Sequence, residues 1–151
     1  HVIEKMPART PSKLTYLAGA LRELARYRSP AFTLLADDDR AAVASRLLLA
    51  FVANGQYCGG RMHVAPAARQ DDGAFDLVTI DDVGLLRALP KLARLYAGNL
   101  LHDPLVKHRL VTRVRITAEP AAGVEADGQF VGRTPTVISV ERGALRTLRG
   151  P

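Results

Sequence analysis

Tryptophan is missing from this chain, cysteine occurs once, and aromatic residues make up only 5% of it. Each scarcity excludes something. A single cysteine, Cys58, cannot form a disulfide within the chain, which fits a reducing compartment. Few aromatics, with none interleaved among the arginines, argue against a platform on which nucleic-acid bases stack. The longest apolar run, Leu47–Ala53, falls far short of the roughly 20 residues that cross a bilayer. No glycine loop is followed by Lys-Ser/Thr, and no G-x-G-x-x-G spacing occurs. Neither common phosphate cradle is therefore present.

What remains is a globular composition. The 151 residues are 48% hydrophobic and 24% charged, enough for a single domain with a real core. The chain opens on His1 rather than Met, so a fragment of a longer protein is expected. Its formal charge is +6, carried mostly by arginine, which draws it to anions. Nucleic acid, an acidic membrane surface and a phosphorylated substrate all satisfy that charge.

Read in order, the chain first offers a helix. Thr10 is an N-cap, Pro11 fits the first helical position, Leu14, Leu17, Leu21 and Leu24 repeat at helical spacing, and Ser29-Pro30 ends the run. Ala31–Ala36 reads as a strand. Asp37-Asp38-Asp39 reads as a turn, because it lacks the alternating acids and later Glu of a calcium loop. Ala41–Val52 is the return strand, with helix as an alternative over Arg40–Leu49. After Phe75–Ile80, another strand, Asp81-Asp82 caps a leucine-rich helix that Pro90 interrupts and Gly98 stops. Leu101–Leu110 reads as loop, and its His102 and His108 lack metal-ligand spacing. Val111–Ile116 is a strand that points Val114 and Ile116 inward and lines Arg113 and Arg115 along one exposed face. A turn at Pro120–Gly123, a turn signal at Asp127-Gly128, a strand over Thr136–Val140, an Arg142-Gly143 turn and a last strand over Ala144–Leu148 complete the chain. The strands and turn signals predict a mainly β fold with some α: a two-layer antiparallel β-sandwich with helices at its edge.

The organising stretch is Ala50–Asp76. An apolar strand stops at Asn54-Gly55, the strongest short turn signal a sequence offers. Gly59-Gly60 comes next, then a short apolar segment around Met62 and Val64, then Pro66, an acidic turn at Asp71-Asp72-Gly73, and the strand Phe75–Ile80. The order is strand, glycine turn, short strand, acidic turn, strand.

The wording of that stretch resembles a known family. Asn54-Gly55, Gly59-Gly60-Arg61-Met62, Ala65-Pro66-Ala67-Ala68 and Asp71-Asp72-Gly73 followed by Phe75-Asp76-Leu77 stand in the order seen in the C-terminal domain of diacylglycerol and sphingosine kinases. The bacterial lipid kinases, which are related to NAD kinases, look most similar. Leu89-Pro90-Lys91, Gly98, Asp127-Gly128, Pro135, Gly143-Ala144-Leu145 and Pro151 extend the resemblance to the last residue. It implies one domain over residues 1–151, the C-terminal, substrate-side half of a lipid kinase. The nucleotide-binding domain of that family, with its Gly-Gly-Asp-Gly-Thr motif, is not in this chain, so the chain alone is expected to be inactive.

The resemblance also implies a site. Such an enzyme moves the γ-phosphoryl of ATP, with Mg²⁺, to a lipid hydroxyl. An Asp-Gly-Glu motif supplies the family's base, and the matching positions here are Asp127, Gly128 and Gln129. An amide cannot accept a proton at neutral pH, so Gln129 departs from the pattern at its central residue. Glu125, Asp127 and Gln129 alternate, and in an extended segment all three would share one side. Asn54 and Gly55 would border the nucleotide and substrate cleft. Asp72 is the candidate Mg²⁺ ligand, through water, with a capped turn as the plain alternative.

Two functional classes are open. One is a lipid kinase domain acting on a diacylglycerol-like or long-chain alcohol. The other is a non-catalytic descendant that binds lipid or nucleotide, which Gln129 favours. A nucleic-acid module would rest on charge alone and is not expected. The expected partners are a lipid substrate, an anionic membrane surface and the missing N-terminal domain. The expected location is cytoplasmic and peripherally membrane-associated.

Overall fold

A computed structural model describes residues 28–59, 61–82, 94 and 97–145. The expected first helix, most of the leucine-rich helix and the end of the expected last strand lie outside these residues. Ten strands are present among the described residues: β1 (Ala31–Ala36), β2 (Val43–Ala53), β3 (Tyr57–Cys58), β4 (Met62–His63), β5 (Phe75–Asp81), β6 (Val106–Val111), β7 (Arg113–Glu119), β8 (Gly123–Ala126), β9 (Gln129–Arg133) and β10 (Thr136–Ser139). Six of them form one antiparallel sheet in the order β10-β7-β1-β2-β5-β6, while β3-β4 and β8-β9 are separate two-stranded ribbons. The expected β-sandwich is thus the fold, and the described part is mostly antiparallel strand with little helix.

β2 makes the sheet turn back on itself. Its first residues pair with β1, from Val43 opposite Leu34 to Arg46 opposite Ala31. Its later residues pair with β5, from Leu47 opposite Asp81 to Ala53 opposite Asp76. Between Leu47 and Leu49 the register shifts, and such a bulge bends a strand and lets it pass from one layer to the next. The two arms close over an apolar cluster of Phe32, Leu34, Ala36, Val114 and Ile116 on one side and Leu47, Leu77 and Val111 on the other. The helix alternative over Arg40–Leu49 fails because both neighbours of β2 need its backbone groups.

A second cluster covers the opposite face of β5. Val64, Ala65 and Ala68, from the segment after β4, pack with Val78, Ile80 and Leu100. β5 is therefore buried on both faces.

Two sequence readings are corrected: the expected strand Val111–Ile116 is broken at Thr112, where β6 ends and β7 has yet to begin, and the expected loop before it is a strand. Leu101–Leu110 is not loop: a 3-10 turn at Leu100–His102 leads into β6, which pairs with β5 along its length. β6 is the edge of the sheet, and Lys107, His108 and Arg109 in its middle are exposed. Charges on an edge strand mask the period-2 signal while blunting the edge against other chains.

Candidate functional site

The residues matched to the family's base lie on the β8–β9 hairpin. Thr134 N–H donates to the Ala122 carbonyl at 2.9 Å, and Ala122 N–H donates to Thr134 Oγ1 at 3.0 Å, closing the hairpin base. At the tip, Asp127 and Gly128 both have positive φ, 50° and 80°. Asp-Gly with two left-handed residues is the turn that suits the twist of a tight hairpin. The turn also fixes which residues face each other below it. Ala126 stands opposite Gln129 and Glu125 opposite Phe130. Glu125 and Gln129 therefore project to opposite faces, and the expected shared side for Glu125, Asp127 and Gln129 is not formed. Asp127, Gly128 and Gln129 are all exposed at the tip. The Arg133 guanidinium lies 5.9 Å from the centroid of the Phe130 ring beside them.

Asn54 and Gly55 come directly after the end of β2. Asn54 is exposed, and a Cβ on Gly55 would sit 3.2 Å from Gln70 Nε2, so the bend fits tightly against the next segment. Val52, near this end of β2, and Ala122, at the hairpin base, pack against the same apolar cluster. That shared core fixes the two pieces in one framework. Among the described residues, no hydrogen bond or ion pair joins Asn54, Asp72, Asp127 and Gln129 to one another.

Asp72 belongs to the acidic turn. Its Oδ1 accepts from Ala74 N–H at 3.0 Å, the capped-turn arrangement. Arg69 pairs with Asp71 at 3.4 Å. Gly73, with φ at 71°, leaves room for the Arg142 side chain, which a Cβ there would collide with. Among the described residues no three His, Cys, Asp or Glu side chains gather as a metal site. A Mg²⁺ at this turn would have one carboxylate oxygen of Asp72 and otherwise water. That donor set fits this ion, which keeps several waters and often uses one or two carboxylates.

Sequence reasoning missed an apolar cleft at the end of the sandwich where β1 ends and β2 begins. Leu34, Val43 and Leu77 line it, with Lys107 and Arg109 at its rim. Arg109 straps this end by donating to both oxygens of Asp39, at 2.9 and 3.1 Å. The strap holds the Asp39 carboxyl below its ordinary range and raises the guanidinium. Asp37 is lowered too, first by the Thr112 hydroxyl at 2.7 Å and also by the N–H groups of Thr112 and Arg113. Asp37 and Asp39 are thus spent within the turn and across the sandwich, as the turn reading of the triple Asp expects. On the other face of β5, Asp76, only 2% exposed, meets His108 Nε2 at 2.6 Å. The signal for both pairs was the charged run Lys107–Arg109, hidden once that segment was read as loop.

Comparison with known proteins places this architecture. No curated protein matches the chain. A solved structure of a protein assigned as a diacylglycerol kinase from Bacillus anthracis str. Sterne is similar at 21% identity and a TM-score of 0.67, over 91% of this chain and 47% of that one. A diacylglycerol kinase structure from the same organism is similar at 22% identity and a TM-score of 0.64, over 87% of this chain and 44% of that one. At such identities the likeness is one of fold, and this chain spans about half the length of each protein. The family described as the YegS C-terminal NAD kinase beta sandwich-like domain matches residues 2–149. With nearly the whole chain matched, the protein belongs to the YegS C-terminal NAD kinase beta sandwich-like domain family.

Proposed function

We propose that this chain is the acceptor-side domain of an ATP-dependent lipid kinase. The family match over residues 2–149 supports the reading, and its chemistry is proposed for the Asp127-Gly128-Gln129 tip, which is exposed. Support for the lipid class comes from the structures it resembles, named as diacylglycerol kinases. A nucleotide domain from the same protein would supply the other wall, and this chain alone is expected to be inactive.

In the proposed reaction the lipid hydroxyl oxygen bonds to the γ-phosphorus of Mg²⁺-bound ATP, and the bond from that phosphorus to the β–γ bridging oxygen breaks. The hydroxyl proton goes to a carboxylate or to water. Asp127 is the carboxylate offered at the tip. Gln129 orients the hydroxyl by hydrogen bonding and takes no proton. Asn54 and Gly55 border the cleft. Asp72 is the side-chain ligand offered to a hydrated Mg²⁺ that steadies the acidic turn. The protein is proposed to work at the cytoplasmic membrane surface. Among the described residues no helix is long and apolar enough to cross a membrane.

The second reading, a binding protein without transfer, is favoured by Gln129 alone. Labelled ATP offered to the intact protein with a panel of lipid alcohols separates the two. Transfer of label to a lipid supports the kinase. Saturable lipid or nucleotide binding with no labelled product supports the descendant and ends the kinase reading.

A further inference from the structure

The outer face of β7 carries a pair of arginines that the fold leaves to solvent. Arg113 and Arg115 alternate with the buried Val114 and Ile116, so both point away from the core. Two residues along a strand place them roughly 7 Å apart on one side of the sheet. Leu35 stands opposite Arg115 on β1, and Val137 stands opposite it on β10. Val137 is 45% exposed. Leu35 and Asp37 border the groove between the two arginines.

Asp37 is the acid that borders this groove, and its Oδ1 is already taken. It accepts from Thr112 N–H, Thr112 Oγ1 and Arg113 N–H. Its charge is turned onto the β6–β7 turn. Among the described residues neither Arg113 nor Arg115 forms an ion pair. The sheet thus presents two unneutralised guanidiniums in one row, with the exposed Val137 and the half-buried Leu35 beside them. Arg113, Arg115 and Val137 all stand exposed along the two strands, so the row suits an extended anionic surface better than one small anion.

We infer that this face of β7, with Val137 of β10 beside it, docks the protein on the phosphate-bearing surface of an anionic membrane. Arg113 and Arg115 contact lipid phosphates, and Val137 rests among the headgroups. The inference rests on the lipid-kinase reading for its setting, because a lipid substrate brings the protein to a bilayer. It is tested by binding alone, so it can fail while lipid phosphorylation stands.

The test is sedimentation of the intact protein with phosphatidylcholine vesicles, with and without phosphatidic acid. Wild type is expected to bind the acidic vesicles and to release with added salt, since exposed charges are screened within about 10 Å at 0.1 M. R113Q and R115Q are each expected to weaken binding roughly fivefold, and the double variant roughly twenty- to thirtyfold. R113K/R115K keeps the charge and is expected to keep most of the binding. R61Q/R69Q removes the same net charge from exposed positions outside this face and is expected to lose far less. Thermal unfolding checks each variant for folding; if the double variant does not fold, the single variants decide. Inorganic phosphate at matched ionic strength is expected not to displace the protein. Equal loss from R61Q/R69Q would overturn the proposal in favour of total charge. Displacement by phosphate alone would assign the pair to a free anion and equally overturn it. So would wild-type binding that ignores phosphatidic acid.

Discussion

Glu125 faces Phe130 and Ala126 faces Gln129 across the β8–β9 ladder, so the acid and the amide leave the hairpin on opposite sides. Asp127, in the turn between them, is then the carboxylate best placed to act with Gln129. This divides the two acids experimentally. In the intact protein, Glu125→Gln is expected to leave lipid phosphorylation unchanged, while Asp127→Asn abolishes residual activity. Gln129→Glu restores a base and is expected to raise the rate, by up to about 10²–10⁴ if only that group is missing. An ordinary wild-type rate that none of the three changes alters would remove proton transfer from this hairpin.

The same turn fixes a stability prediction. Gly128 has φ at 80° with no heavy atom near a would-be Cβ, so only the backbone opposes a side chain there. Gly128→Ala is expected to cost about 1–2 kcal/mol, the penalty of a left-handed L-residue. Gly59, which also has open space and no positive φ, is the control, and Gly59→Ala is expected to be close to neutral. Equal midpoints in urea for both variants would mean the tip is not held in this turn.

The strands that alternate cleanly were legible in the residues. Ala31–Ala36 appears as read, and the Val111–Ile116 reading holds from Arg113 onward, where Arg113 and Arg115 are exposed and Val114 and Ile116 buried; Val111 is instead the buried end of β6, before the bend at Thr112. The Asp72-Gly73 and Asp127-Gly128 turns also fall where their backbone preferences put them, each with its glycine at positive φ, whereas the chain bends at Asn54-Gly55 with neither residue at positive φ. β6 was not legible, because an edge strand can carry charges on both faces. The corner in β2 was not legible either: a bulge depends on two neighbours in different layers, and neither is a local property. For the site, the residue types were readable but not their directions. Whether Glu125 and Gln129 share a face depends on where the hairpin turns, and one turn between them reverses the answer.

Asp37 and Asp39 give the fold a defined response to acid. Both carboxyls are lowered in the folded chain, so they bind protons less readily folded than unfolded. Their stabilisation is complete above the unfolded carboxylate value, about 3.9. It is lost as pH falls through the lower folded values. Melting temperature is therefore expected to be insensitive to these groups at neutral pH and to fall below about pH 4. Asp39→Asn, which removes the titrating carboxylate and one of its two acceptors, and Arg109→Gln, which removes the guanidinium, are each expected to make that acid fall shallower. An unchanged acid limb in both variants would show that the strap is not formed in solution.

His108 holds the buried Asp76 carboxylate on the face of β5 that carries Val78 and Ile80. Removing the ring leaves an acceptor that is only 2% exposed without this partner. His108→Ala is expected to destabilise the fold by about 1–3 kcal/mol, the usual cost of an unsatisfied buried polar group. Adding Asp76→Asn to that variant removes the stranded charge and is expected to recover part of the loss. If the two changes simply add in chemical denaturation, the pair is not coupled.

Asp72 allows the turn and the metal to be separated. Its Oδ1 caps the turn through Ala74 N–H, and an asparagine oxygen can accept the same hydrogen bond. Asp72→Asn therefore keeps the cap and removes the charge. If a hydrated Mg²⁺ rests on this carboxylate, added Mg²⁺ stabilises the wild type with the logarithm of its concentration once that exceeds the dissociation constant. The variant is expected to have the wild-type melting temperature in chelator and to lose the Mg²⁺-dependent rise. Asp71→Asn, which disturbs only the exposed pair with Arg69, is expected to keep most of that rise. A rise of equal size in wild type and Asp72→Asn would place the metal elsewhere and leave Asp72 as the cap of its turn.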